Sequence, residues 1–190
     1  MVIFGKNLIF SCMITALAIT YNEAHNIERY INSMSFADEI IIVDSFSTDQ
    51  TETLAQHPKV TFIKRVFDDF SSQKNYAISL AKHDWVTFFD LDEVVPEALA
   101  TELVATVRSN PIAKAFRVKR DYHFMGKRIK YSGFQTDIAV RLFNKNHCKY
   151  NGKLVHEAIQ TTATIGKLRH HVKHQTYKDF DNYNQKLTQY

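Results

Sequence analysis

The chain has 190 residues, 45% of them hydrophobic and 23% charged, enough for a real core, which excludes a disordered chain. Its 24 Lys and Arg against 20 Asp and Glu hide a division: residues 1–113 carry 8 basic and 15 acidic side chains, residues 114–190 carry 16 and 5. Five glycines are present and none lies between residues 6 and 125, which excludes a Gly-rich phosphate loop and a G-x-G-x-x-G turn from the first half.

Residues 1–12 read as an extension ahead of the domain, with Met13 as an alternative start. Lys6 interrupts the apolar stretch and no small-x-small cleavage site follows, so a signal peptide is not indicated. No apolar run reaches the roughly 20 residues of a bilayer span. Ile14–Thr20 then reads as a strand. Residues 24–34 read as a helix, with Ile27, Tyr30, Ile31 and Met34 at helical spacing. Glu39–Asp44 holds four successive aliphatics, the mark of a parallel strand buried on both faces. Ser47-Thr-Asp-Gln50 has capping-box spacing and predicts a helix to about Gln56. Val60–Lys64 is a strand, Ser71–Lys82 a helix, Trp85–Asp90 a strand, and Pro96–Arg108 a helix with proline in its first turn. This alternation predicts an α/β fold: a three-layer α/β/α arrangement around a mostly parallel, Rossmann-like sheet.

After Pro111 the texture changes. Ala115–Tyr122 and Ile138–Phe143 read as strands, 125–128 as a turn, and 130–137 as an irregular loop. Val155–Ile159 reads as a short strand, and Asp179–Tyr190 as a polar helix that stops without a capping signal. The chain therefore reads as truncated at its C-terminus, with residues 114–190 a mixed half of the same domain. Cys12 and Cys148 form no C-x-x-C pair, which argues for two reduced thiols in a cytosolic protein.

In an open parallel sheet, ligands bind outside the carboxyl ends of the strands. Here those ends carry Thr20-Tyr-Asn-Glu23, Asp44 and Asp90-Leu-Asp-Glu93. Asp90 and Asp92, two residues apart in extended chain, project to one side and call for a cation, most simply a divalent metal with a diphosphate. Plainer roles stand beside these. Asp90 can cap the next helix, Asp44 can open a turn, Tyr21 can be an apolar lid and Glu23 a first-turn acid. Lys74 either reaches a phosphate or faces solvent.

Ala18-Ile-Thr-Tyr-Asn-Glu23, Ile41-Ile-Val-Asp-Ser-Phe-Ser-Thr-Asp49, Gln73-Lys-Asn-Tyr-Ala77 and Phe88-Phe-Asp-Leu-Asp-Glu93, in this order, resemble the family 2 glycosyltransferases of the GT-A fold. The likeness covers about residues 13–160. It is nearest to the subgroup that adds sugars to the lipopolysaccharide core, through Gly126-Lys-Arg-Ile-Lys130, Arg141-Leu-Phe143 and Val155-His-Glu157. The resemblance implies a nucleotide-sugar-binding half over 13–113 and an acceptor-binding, catalytic half over 114–190. It implies that Thr20, Tyr21, Glu23 and Asp44 hold base and ribose, Asp44 accepting the uracil N–H of a UDP-sugar. Lys74 approaches the phosphates, Asp90 contacts ribose, and Asp92 binds Mn or Mg on the diphosphate. Glu157 is the candidate base and Asp137 its rival. Where the family often has Asp-Asp-Gly-Ser, this chain has Asp44-Ser-Phe-Ser47, so the second acid is missing. The Gln-x-x-Arg-Trp signature of processive synthases is absent, which favours one sugar per encounter.

Of the six histidines in the second half, His170, His171 and His174 form a cluster that either supplies a metal ligand, His174 first, or is a polar strand and turn. The basic half suits an anionic partner. A phosphorylated, lipid-linked saccharide at the inner membrane surface fits better than nucleic acid, for which no motif appears. The expected function is thus a metal-dependent, inverting glycosyltransferase acting on a saccharide or lipid-linked acceptor, cytoplasmic or peripheral on the membrane. Two other readings stay open: a degenerate transferase serving as a nucleotide-sugar-binding module, and a sugar-phosphate nucleotidylyltransferase. The latter needs a glycine-rich basic loop where this chain has Tyr21-Asn-Glu-Ala.

Overall fold

The computed structural model describes residues 13–124, 127–129, 137–153 and 157–177. The predicted extension over 1–12, most of the 130–137 loop, residues 154–156 of the predicted Val155–Ile159 strand and the helix over 179–190 lie outside the described residues.

β1 (Ile14–Thr20) and β2 (Glu39–Asp44) are buried along nearly their whole length because helices cover both faces of the sheet. Ala16, Ala18, Ile40 and Ile42 pack with α1 (Ile27–Ser33) and α4 (Glu97–Arg108), while Leu17, Ile41 and Val43 pack with α3 (Phe70–Leu80). Alternate residues of one strand thus feed two cores, the period-2 logic of a doubly covered sheet. The buried hydroxyl of Tyr30 donates to the Leu17 carbonyl at 2.9 Å, so α1 docks without an unmet polar tip. β3 (Val60–Lys64) and β4 (Trp85–Phe88) complete a parallel quartet in the order β3-β2-β1-β4.

The sheet continues with mixed strands. β8 (Ile138–Asn144) runs antiparallel to β4 and to β6 (Ala115–Phe124). β11 (Ile165–Tyr177) is parallel to β6 and antiparallel to the two-residue β5 (Glu93–Val94). β7 (Lys127–Arg128) folds back on β6, and β9 (Lys149–Tyr150) pairs with β10 (Ile159–Gln160) in a separate ribbon. The expected parallel sheet is therefore its first four strands, and the second half supplies the mixed remainder. Among the described residues, no helix is long and apolar enough to cross a membrane.

Two local expectations need correction. The predicted capping box does not form. Ser47 turns its hydroxyl to Asp44 instead, and α2 is one short turn, Thr51–Leu54, opened by Asp49, which accepts from the Thr51 N–H at 3.0 Å. The His170–His174 stretch is part of a long strand, because Leu168 and Val172 are buried in the core beside α4. Residues 168–170 form a detour in the β11–β6 register, and Glu102 of α4 accepts the Arg169 and His170 N–H groups there at 2.8 and 2.9 Å.

Gly166 is where β11 closes on β6. A Cβ there would lie 2.5 Å from the ring of Phe116, which is itself buried against Trp85. Gly166→Ala is expected to destabilise the fold by about 1–3 kcal/mol, the usual range for overpacking, read by urea denaturation. An unchanged midpoint would show that Phe116 has room to move.

Candidate active site

The carboxyl ends of β1, β2 and β4 converge on a cleft of about 1060 Å³. Its β1–β2 corner is braced by the polar residues of both loops. Asn22, with φ of 53°, accepts the Thr48 N–H on its side-chain oxygen at 2.8 Å and donates its own N–H to Ser47 Oγ at 2.8 Å. The Glu23 and Ala24 N–H groups donate to Thr51 Oγ1 and Asp49 Oδ2. Asp44 is fully buried, accepts from the Ser47 N–H and hydroxyl, and is not part of the cleft wall; Ser45 is. The Asp-Ser-Phe-Ser-Thr-Asp run thus acts first as a brace, as its turn chemistry allows. Thr20 lines the cleft with a buried hydroxyl that has no hydrogen-bond partner among the described residues, and Tyr21 stands 59% exposed at the rim.

The floor is a cluster of acids and arginines. β4 ends at Phe88, and Asp90–Glu93 form a turn closed by the Glu93 N–H on the Asp90 carbonyl at 2.9 Å. The turn sends the two aspartates to different partners rather than leaving them side by side. Asp90 pairs with Arg120 and Arg141, while Asp92 faces His174. Arg141 gets there through a bulge: Phe116 pairs with Leu142 and Arg117 with Val140, which leaves Arg141 the extra residue of β8. It donates to the Phe88 carbonyl at 3.1 Å and to Glu93 at 2.7 Å. Burial by itself would raise the Asp90 carboxyl, but the charges of Arg141, Lys74 and Arg120 hold it well below the usual carboxylate range. Asp137 lies under the same influence. Against burial, the Tyr122 hydroxyl and the Arg120 guanidinium at 2.8 Å keep it acidic. Burial and that hydrogen bond push Tyr122 up to about 12.

Lys74, one turn into α3, is not solvated. It is 7% exposed, its Nζ lies 2.7 Å from Glu157 Oε1, and it sits 5.0 Å from the Tyr150 ring centroid. Across the cleft, His174 Nε2 lies 3.0 Å from Asp92 Oδ2, while its Nδ1 is buried with no hydrogen-bond partner among the described residues. Arg29 of α1 reaches the neighbouring Gln175 of β11 and holds that strand to α1.

Of the predicted site residues, Thr20, Tyr21, Glu23, Lys74, Asp90, Asp92 and Glu157 line this one cleft. His174 joins it through Asp92, Asp137 through Arg120, and Asp44 sits outside the wall. Sequence reasoning missed Arg120, and quoted Glu93, Ser45 and Arg141 without a role of their own. An arginine inside the apolar run Ile138-Ala-Val-Arg-Leu-Phe143 was the signal available. Among the described residues, no three His, Cys, Asp or Glu side chains are close enough to hold a metal by themselves. Asp92 and His174 fit two positions of a hard-cation shell whose other ligands come from phosphate and water.

Residues 15–157 match the family described as Glycosyl transferase family 2. An uncharacterized glycosyltransferase of Rickettsia bellii is 40% identical over 91 residues, 47% of this chain and 31% of that protein. The lipopolysaccharide core biosynthesis glycosyltransferase LpsC of Rhizobium meliloti is 26% identical over 162 residues, 82% of this chain and 60% of LpsC. The chain spans less than two thirds of the length of these curated relatives. S. aureus TarS 1–349, in complex with UDP, shares the GT-A fold at a TM-score of 0.60 over 86% of this chain and 60% of that one, with 14% identity. The family match begins inside β1 and ends at Glu157, taking in the parallel quartet, the acid–arginine floor and the Lys74–Glu157 pair; the chain belongs to glycosyl transferase family 2.

Proposed function

We propose that the chain is a metal-dependent, inverting glycosyltransferase domain. It moves one sugar from a nucleotide-diphospho-sugar, a UDP-sugar first, to a saccharide or lipid-linked acceptor in cell-surface glycan synthesis of the lipopolysaccharide kind. The setting is the cytoplasm or the cytoplasmic face of a membrane. The observation that carries this reading is the contact of His174 with Asp92, 82 residues apart in sequence, where Asp92 lines the same cleft as the Lys74–Glu157 pair.

A bound Mn or Mg would supply Lewis-acid stabilisation of the departing diphosphate. The chain's own residues do the rest. Thr20 and Tyr21 offer a hydroxyl and a ring to the nucleoside at the braced corner, while Asp44, buried with both carboxylate oxygens on Ser47, holds that corner in shape rather than meeting the base itself. Asp90, kept ionised by its arginines, accepts from ribose. Lys74 can shift its charge from Glu157 to the diphosphate, which frees Glu157 to take the acceptor's proton within about 3 Å. Asp137, already held acidic by Tyr122 and Arg120, is the weaker proton acceptor.

Asp92→Asn is expected to abolish the Mn-dependence of nucleotide binding and to lower transfer by about 10²-fold or more. Calorimetry with UDP and GDP, with and without Mn, followed by donor turnover, checks both. No nucleotide binding under any condition would sink the proposal. Binding without turnover on any acceptor would assign the binding-module alternative.

A further inference from the structure

Most cationic side chains of the cleft are already spoken for. Arg120 and Arg141 share Asp90 and Glu93, and Lys74 holds Glu157. Arg117 is different. It lines the cleft from β6, is exposed, and its guanidinium has no hydrogen bond or ion pair with any described residue. Lys167 of β11 stands in register with it, and Lys119 follows two residues along β6. Registered neighbours of a parallel pair, and residues two apart on a strand, point to the same side of a sheet. The three cations therefore share one face, with Arg117 on the cleft wall and the lysines beside it, and neither lysine has a charge partner among the described residues. Val140 and Ile138 of β8 are registered beside Arg117 and Lys119, so the patch lies against an apolar border.

The acids nearby cannot neutralise it. Asp121, next on that face of β6, is taken by Arg128 at 2.8 Å and His171 at 3.1 Å. Asp137 and Glu157 are taken by Arg120 and Lys74. The segments 125–126, 130–136 and 154–156 contain no Asp or Glu, and the remaining acids of this half, Asp179 and Asp181, lie outside the described residues. Three uncompensated cations repel one another and are stable together only while water or an anion separates them. Strand spacing places them roughly 5–7 Å apart, the span one phosphate monoester bridges, with the Arg fork taking two oxygens and the lysines acting as point charges.

We infer that Arg117, Lys119 and Lys167 form an anion subsite that holds a phosphate group on the acceptor saccharide. The inference rests on the transferase reading, and it narrows that reading's acceptor to a phosphorylated sugar. The subsite is separate from the diphosphate position, which belongs to Asp92, His174 and Lys74.

Isothermal titration with glucose 6-phosphate as probe, with glucose and inorganic phosphate as comparisons, tests it with and without saturating UDP and Mn. Glucose 6-phosphate is expected to bind the parent chain with the nucleotide in place, and glucose not to bind at the same concentrations. Arg117→Gln with Lys167→Gln should weaken that binding at least tenfold and leave UDP affinity within twofold, since both side chains are exposed and neither is paired with Asp92, His174 or Lys74. Inorganic phosphate with the same sensitivity to the two substitutions would support the subsite and make the anion alone what is recognised. Equal binding of glucose and glucose 6-phosphate, binding of neither, or parental affinity in the double variant would overturn it. Absence of UDP binding alongside variant-sensitive glucose 6-phosphate binding would remove the donor reading and leave the subsite standing.

Discussion

Glu157→Gln is expected to lower sugar transfer by about 10²- to 10⁴-fold, the usual worth of a general base, with nucleotide affinity close to that of the parent. The amide keeps an oxygen for Lys74, 2.7 Å away, so the wall of the cleft stays in place, but it cannot take a proton. In the proposed function the donor is held by other groups, on β1 and the Asp90–Asp92 turn, so binding and transfer should separate. Single-turnover transfer at saturating donor measures the second, and calorimetry with the nucleotide the first. Asp137→Asn is the control. Its carboxylate is engaged by Arg120 and Tyr122, so its loss should act on loop position and stability more than on proton transfer. Loss of transfer in Asp137→Asn with Glu157→Gln unaffected would move the base to the loop before β8.

Arg141→Met is expected to cost the fold about 3–5 kcal/mol, because it strands buried carboxylates whose partner has gone. Glu93 is fully buried and Arg141 nearly so, and the arginine also satisfies the Phe88 carbonyl at the end of β4. Urea denaturation of the parent, of Arg141→Met and of Arg141→Met with Glu93→Leu reads the effect. The double variant should lose less than the single one, since no unpaired charge remains at position 93. The pH dependence has a definite sign. Asp90 is held below the usual carboxylate range in the folded chain, so in the acid region the unfolded chain binds the extra proton. The contribution is therefore complete above the unfolded carboxyl value of about 3.9 and is lost as pH falls towards the folded value. Arg141→Met should flatten that acid limb. A variant with parental stability and an unchanged limb would show that Arg120 alone neutralises the cluster.

The parallel quartet was legible because Ile40–Val43 can only be a strand covered on both faces, and the spacing of Ile27, Tyr30, Ile31 and Met34 fits one helix stripe. Five site residues, Thr20, Tyr21, Glu23, Asp90 and Asp92, could be placed at one end of that quartet because strand ends are where a parallel sheet leaves polar groups; the site roles of Lys74 and Glu157 came through the family resemblance. What stayed hidden was long-range. The sequence 165–177 is mostly basic and polar with only scattered apolar residues and no clean period of two, and the burial of Leu168 and Val172 in the core beside α4 is what makes it a core strand. The role of Arg141 depends on one extra residue in β8, which no local pattern announces. Ser47 shows the reverse failure. Its spacing to Gln50 suggested a cap, but Asp44 and Asn22 lay closer in space and took its hydroxyl.

The position of β11 between β6 and β5 sets an order of assembly on the ribosome. The parallel quartet and Asp92 are all encoded before residue 93, whereas His174 is made 82 residues later. At 5–20 residues per second that interval is about 4–16 s, long compared with the formation of a helix or hairpin. A nascent chain can therefore own a folded β1–β2 corner well before it owns the Asp92–His174 pair. β5, which pairs with β11, waits equally long for its neighbour. Arrest of synthesis between residues 113 and 165 should yield ribosome-bound chains that resist protease over β1–β4 yet show no Mn-dependent gain in that resistance. A metal response through the proposed Asp92–His174 site would then appear only after residue 174 has been made.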